Sequence, residues 1–248
     1  AGRMILKLDT NSYDAYHQSE LWSYGVQDYP LAEGAISVAI EDLDGRLPLN
    51  RLVDRLGNAD NIYRERFVRL CQELGLDNPE ALAAALVDWL DPDQDAEPGG
   101  AEDGDYRILD PPYQASDGPL HSLDELQLVK GFNAKVVERL RPYVSCFGSG
   151  KLNVNTAAPE LLRSWDEGAV LAVEGLVSSR QQKPFRSLDD VREAIGIEAY
   201  TALNRYLDLQ VTSSYYLLNS QGRVNDGARR MQAVVRKGQD ILLWQKVN

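Results

Sequence analysis

The residues in this sequence best suited to chemistry are gathered on one loop. Asp88, Asp91, Asp93, Asp95, Glu102 and Asp103 lie within sixteen residues of the stretch VDWLDPDQDAEPGGAED, with Glu97 as a seventh acid. Carboxylates at this density suit a hard divalent cation such as calcium, which takes roughly six to eight oxygen ligands. From Asp91 the spacing D-x-D-x-D-x6-E reproduces that of an EF-hand loop, with Glu102 at the twelfth position. Two positions depart from that pattern: Ala96 stands where a glycine makes the sharp turn, and Pro98 stands at the eighth position. The segment that follows, GDYRILDPPYQASDGPL, carries Pro111, Pro112, Gly118 and Pro119 and cannot form the second helix an EF-hand needs. Two readings of the spacing stay open. The loop is an ion site, or it is a solvated loop whose repulsion is relieved by arginines, water and salt.

Other chemistries find less support. The Gly148–Gly150 segment GSG lacks the G-x-S-x-G frame of a nucleophile elbow. The glycines of PGGAEDG have no lysine and would repel phosphate. A pair such as Asp91 and Asp93 could in principle serve glycoside hydrolysis, but clustered acids on a proline-glycine loop read better as ligands or surface. The segment from Asn153 to Val191 has the outline of a helix-hairpin-helix module, yet Asp166 and Glu167 stand where its phosphate-binding glycines belong. His17 and His121 are too scattered for a histidine metal site. Cys71 and Cys146 lie among apolar residues, as two buried thiols or as one disulfide.

The whole chain sets the bounds. Its 248 residues suffice for one large or two small cores. With 26 Lys and Arg against 38 Asp and Glu, the net charge is −12. Such a surface repels nucleic acid and anionic lipid and favours solubility, cations or a basic partner. No run of eighteen apolar residues marks a membrane span, and the opening AGRMILKLDTNSYD has no signal-peptide shape.

The acidic loop must be positioned by its flanking elements. Ile36, Val38 and Ile40 alternate as in a half-buried strand, and Asp44-Gly45 fits a tight hairpin turn. Tyr63, Phe67, Leu70, Cys71 and Leu74 form one helical stripe that Gly75 can end. Asn78 and Pro79 fit the N-cap and first position of the helix leading into the loop. Ser122 with Glu125, and Ser187 with Asp190, have capping-box spacing. Shorter helices are expected in NAKVVERLRPYV, and a helix pair across NVNTAAPELLRSW and EGAVLAVEGLVSSRQQ. Leu207, Leu209 and Val211 alternate as a strand, and MQAVVRKGQDILLWQKV reads as two strands joined across Lys237–Asp240. Strands at both ends with helices between predict an α+β protein. One sheet would be formed by residues 1–50 and 207–248, with a helical domain at 51–206 inserted between its strands.

Five segments, in order, resemble the K-type minor pseudopilins of bacterial type II secretion. GAISVAIEDLDGRLPLNRLV is similar to the family's D-x-x-G-R-F-N-L-N strand end, with Leu47-Pro48 in place of Phe-Asn. ALVDWLDPDQDAEPGGAED is similar to its D-W-L-D-x-D … G-A-E-D signature. PPYQASDGPLHSLDELQLVKGF is similar to its P-Y-x-x-x-N-x-P-L run, with Asp117 for the asparagine. LRPYVSCFGSGKLNVNTAAPELL is similar to its L-x-P-Y-V … N-V-N-T-A segment, and YLLNSQGRV with ILLWQKV to its closing strands.

The resemblance implies a pilin-like sheet core with an inserted helical domain. It also implies a non-enzymatic subunit at the tip of the pseudopilus, in a heterotrimer with the I- and J-type minor pseudopilins. The family's N-terminal membrane helix is not within this sequence, as expected of a piece beginning just after it. That helix would be the sole membrane contact, anchoring the protein in the inner membrane with this part in the periplasm. A cargo- or receptor-binding module of the same apparatus is the alternative, with secreted cargo as partner. The resemblance further implies bound calcium, with Asp91, Asp93, Glu102 and Asp103 as ligand candidates and Asp88, Asp95 and Asp117 as further ones. Asp88 and Asp91 are one helical turn apart and could face one ion.

Overall fold

The computed structural model describes residues 2–17, 20–31, 33–225, 227–239 and 242–247. Its helices are α1 (Gly2–Leu8), α2 (Leu21–Tyr24), α3 (Asn61–Glu73), α4 (Pro79–Leu90), α5 (Asp103–Tyr106), α6 (Ala134–Leu140), α7 (Pro159–Trp165), α8 (Val173–Gln182), α9 (Leu188–Ile195) and α10 (Ile197–Leu203). Its strands are β1 (Val26–Leu31), β2 (Gly34–Asp42), β3 (Leu47–Pro48), β4 (Val144–Ser145), β5 (Leu152–Asn153), β6 (Leu209–Gln210), β7 (Tyr215–Val224), β8 (Gly227–Arg236) and β9 (Leu242–Val247). No helix among the described residues is long and apolar enough to cross a membrane.

Two compact units share the chain. The first comprises Ala1–Gly45, Lys151–Ala157 and Glu174–Asn248; the second comprises Arg46–Gly150 and Ala158–Val173. The inserted segment was expected to span 51–206. In the structure α8, α9 and α10 group with the sheet-bearing unit, because the chain returns there at Lys151 and again at Glu174.

The sheet unit is built on an antiparallel sheet of order β1-β2-β7-β8-β9. Strands from both ends of the chain therefore share it, as their marginal stability in isolation requires. Val38 and Ile40 of β2, Tyr216 and Leu218 of β7 and Val235 of β8 present one face. Leu6 of α1 and Trp22 of α2 cover that face, and Trp22 meets Tyr216 edge-on at 5.4 Å. Truncating a fully buried tryptophan typically costs about 3–5 kcal/mol, so this packing is a large share of the unit's stability.

A buried polar network closes this interrupted unit. Asp42 Oδ2 accepts hydrogen bonds from Thr156 Oγ1 at 2.5 Å, Ser213 Oγ at 2.7 Å and Asn153 Nδ2 at 3.1 Å. Those donors come from two segments remote in sequence, so one carboxylate ties three parts of the unit together. Asn155 does the same for the backbone: its Oδ1 accepts from Phe185 N, and its Nδ2 donates to Phe185 O, both at 2.9 Å. Lys237, just after β8, reaches Asp9 at 2.6 Å and Asp14 at 2.9 Å. Asp14 also accepts from Tyr216 Oη and Ser213 N, both at 2.7 Å. Burial pushes the Asp14 carboxyl above its usual range, and these donors and Lys237 offset only part of that rise.

The helical unit packs around α4, whose residues from Leu82 to Leu90 are all buried. A helix apolar on all sides belongs in a core. Helix α3 presents Tyr63, Phe67, Leu70 and Cys71 inward and starts at Asp60, which accepts from Ile62 N and Tyr63 N. Buried Arg66 lies 3.7 Å from the Trp165 ring centroid and donates to Trp165 O. With Arg69, which donates to Ser164 O at 2.8 Å, it satisfies carbonyls at the end of α7.

Several local expectations are corrected. Asp44-Gly45 is a turn, but β2 and β3 do not pair; β3 pairs in parallel with β4. Gly45 is not in the left-handed region. A Cβ there would lie 2.5 Å from Thr156 Oγ1, so glycine serves close approach rather than a hairpin. Asn78 precedes α4 in a left-handed conformation and does not cap it. Residues 123–128 form a 3-10 helix: the Ser122 hydroxyl accepts from Asp124 N, and Glu125 N donates to the Ser122 carbonyl instead of to that hydroxyl. Leu207 is exposed at positive φ, which confines the strand near it to β6. Both cysteines are free and buried, which decides against a disulfide. Strands β8 and β9 match the expected pair, while Asp240 of their connection lies outside the described residues.

Replacing Lys237 by methionine leaves two nearly inaccessible carboxylates without their cation. We expect a loss of about 3–5 kcal/mol in urea unfolding, and a loss below about 1 kcal/mol for Lys246→Met on the exposed part of β9.

Candidate metal centre

Helix α4 delivers the acidic loop. Asp88 sits in its last turn and Asp91 is its C-cap, with no basic residue in that turn. The carbonyl end of a helix carries partial negative charge, so both carboxylates are disfavoured there unless a cation joins them. Trp89, between them, points into an aromatic group. It meets Tyr106 edge-on at 5.3 Å, and Tyr106 stacks on Tyr113 at 5.2 Å. These rings fix the start of the loop, α5 and the proline-rich segment behind it.

The loop then wraps around Asp88. Both Asp88 oxygens accept from Glu97 N, at 3.1 and 3.3 Å, and the carboxylate also accepts from Ala101 N. A Cβ on Gly100 would fall 1.8 Å from Asp88 Oδ2, so only glycine passes there. Lys130 donates to Gly100 O at 2.7 Å, and Arg64 pairs with Glu97 at 3.0 Å. Asp105 of α5 accepts from Glu102 N at 3.2 Å and sets the angle at which Glu102 enters.

This scaffold brings Asp91, Asp93 and Glu102 together, each offering a carboxylate oxygen within 4.8 Å of the others. Asp91 is 7% exposed and Glu102 6%. Asp91 Oδ1 and both Glu102 carboxylate oxygens are buried without a hydrogen-bond partner. Burial, with Asp93 and Asp88 nearby, pushes Asp91 up to about 6. Burial, with Asp88, Asp91, Asp117 and Asp93 nearby, pushes Glu102 up to about 7. Three buried acceptors without donors are costly in a folded protein. Their chemistry, hard oxygens converging on one point, fits a divalent cation.

The other expected residues occupy distinct places. Asp88 spends its oxygens on the loop backbone, although its charge reaches Asp91 and Glu102. Asp103 accepts from Arg107 at 2.5 Å, Gln114 Nε2 at 2.9 Å and Ala115 N at 3.0 Å, which ties α5 to the following segment. Asp95 is exposed, and its N–H donates to Asp93 Oδ1 at 2.9 Å. Asp117 is exposed with positive φ, near Gln94 and close enough to raise Glu102. After the loop comes only the one-turn α5, so the EF-hand spacing has no EF-hand behind it. Lys130, Arg64 and Asp105 escaped the sequence reading as supports, and Gly100, read there as freeing a carbonyl for an ion, instead gives Asp88 room. Lys130 and Arg64 are remote from the loop in sequence, and Gly100 is constrained only by where Asp88 points.

The geometry defines an antiparallel-sheet unit interrupted by a helical unit that carries a loop on which three carboxylates converge. Sequence profiles for type II secretion system (T2SS), protein K, match residues 45–149 and 152–210. The chain belongs to the type II secretion system protein K family. It is 28% identical over 247 residues to type II secretion system protein K of Aeromonas hydrophila, covering 92% of this chain and 75% of that protein. The protein of the same name from Klebsiella pneumoniae is 32% identical over 168 residues, covering 64% and 51%. Among solved structures, the GspK-GspI-GspJ complex of enterotoxigenic Escherichia coli contains a chain of the same fold. Its TM-score is 0.73 at 22% identity, covering 99% of this chain and 90% of that one.

The charge balance yields a crossing prediction. In EDTA at pH 8, Glu102→Gln should melt above the parent chain, because it removes an uncompensated buried charge. In millimolar calcium it should melt below it. The pH dependence follows the same sign. Folded-state values near 6 and 7 exceed the unfolded carboxylate value of about 4. The metal-free fold therefore binds extra protons and loses that stabilisation as pH rises through 7. A cation must displace those protons, so the melting shift produced by calcium should shrink steadily between pH 8 and pH 5.

Proposed function

We propose that this protein is a structural, non-enzymatic minor pseudopilin of the type II secretion pseudopilus. It would sit at the filament tip with an I-type and a J-type minor pseudopilin. An N-terminal helix preceding this stretch would anchor it in the inner membrane, leaving both units described here in the periplasm. The observation that carries the reading is the fold match over 99% of the chain to a structure solved as a GspK-GspI-GspJ complex. The family profiles over both units support it.

We further propose that calcium stabilises the helical unit. Asp91, Asp93 and Glu102 would hold it, with Asp88 contributing charge and loop order. Calcium would supply positive charge and oxygen coordination to acceptors that otherwise have no donor. Binding to the folded state alone would raise stability by mass action.

Co-purification with the I- and J-type subunits tests the assembly reading. A 1:1:1 complex should form, and it should weaken when Asp91→Asn and Glu102→Gln are combined or when calcium is chelated. Capture of secreted cargo in place of those subunits would favour a cargo-binding module. Immunogold labelling along the filament shaft, rather than at one end, would exclude the tip position.

A further inference from the structure

On a chain of net charge −12, one of the cavities is lined by more cations than acids. It encloses about 490 Å³ in the helical unit, between the turn after α3, the start of α4 and helix α6. Leu76, Leu82 and Val136 give it an apolar floor. Lys130, Lys135 and Arg139 surround that floor, and Asp77 is the one acid lining it. The Lys130 ammonium is held by Gly100 O at 2.7 Å and is thereby fixed at the edge. The side chains of Lys135 and Arg139, one turn apart on α6, form no hydrogen bond or ion pair with another described residue.

The contrast is with four arginines of the same unit. Arg64, Arg107, Arg141 and Arg163 are each paired with an acid. A chain with surplus carboxylates has nonetheless left two neighbouring cations open over an apolar floor. The volume lies within the range of about 300–1,000 Å³ typical of ligand sites.

We propose that this cavity binds an acidic peptide segment. An apolar side chain of the peptide occupies the floor, and flanking carboxylates meet Lys135 and Arg139. Arginine engages a carboxylate through two parallel donors, and the lysine adds a point charge beside it. Asn78, whose side chain does not cap α4, stands at the rim with both a donor and an acceptor for a peptide backbone. The long-range field of the chain disfavours a polyanion such as nucleic acid, while a few carboxylates on a short peptide feel the local cations first. The inference uses none of the carboxylates assigned to the cation and stands apart from that reading.

The test is fluorescence anisotropy with two rhodamine-labelled pentapeptides added to the full chain. One has a leucine flanked by aspartates and glutamates; in the other, every acid is replaced by its amide. The acidic peptide should bind at least about tenfold tighter, and its affinity should fall with added salt. Lys135→Glu with Arg139→Glu, both exposed, should remove at least about tenfold of that affinity at unchanged melting temperature. Should that variant unfold, Lys135→Gln and Arg139→Gln singly should each weaken binding in part. Equal binding of the two peptides, no binding up to about 1 mM, or indifference to the α6 variants would overturn the proposal. Displacement by an equal concentration of inorganic phosphate would also overturn it, assigning the cavity to free oxyanions.

Discussion

Buried carboxylates must be balanced, and the two units of this protein meet that constraint in opposite ways. In the sheet unit Asp9, Asp14 and Glu20 bring their oxygens within 4.8 Å of one another, and Lys237 supplies a cation to two of them. In the helical unit Asp91, Asp93 and Glu102 converge just as closely. There the nearby cations are engaged elsewhere: Arg64 with Glu97, Arg107 with Asp103 and Lys130 with a backbone carbonyl. The first cluster is an internal lock. The second is left with unpaired acceptors at the negative end of a helix, which is the physical case for a cation from solution.

The same constraint explains why residues far apart in sequence had to be polar. The sheet unit is interrupted twice, so its pieces must be held in register after long excursions. Asp42, Asn153, Thr156 and Ser213 meet in one buried network, and Asn155 clamps Phe185 and Val211. In the helical unit Asn50 acts alike: its amide donates to Leu120 O and Cys146 O, and its carbonyl accepts from Leu120 N. A buried Asn can satisfy a donor and an acceptor at once, which no apolar residue can do. The family-like segments EDLDG, LPLN and NVNTA thus carry the connections that close the fold.

Much of this was legible from local pattern. The alternation of Ile36, Val38 and Ile40, the stripe from Tyr63 to Leu74 and the Ser187–Asp190 capping box each appear in the structure, because each depends on residues a few positions apart. Readings failed where a distant partner took over. Gly45 looked like a hairpin glycine, but Thr156 dictates it. Asn78 looked like a cap, but its left-handed backbone turns its side chain out of that role. The helices after Glu174 looked like part of the insertion and instead group with the sheet.

For the candidate site the division is similar. Composition and spacing alone determined that the loop is rich in oxygen donors, that no helix of EF-hand length follows it and that α4 leads into it. They could not rank the acids. Which three converge depends on Asp88 turning back to the loop amides, on Asp103 being taken by Arg107 and Gln114, and on Asp105 tilting Glu102 inward. Those choices are made by hydrogen bonds between groups that only the folded backbone brings within about 3 Å. Donor type is written locally, and donor convergence is a property of the tertiary structure.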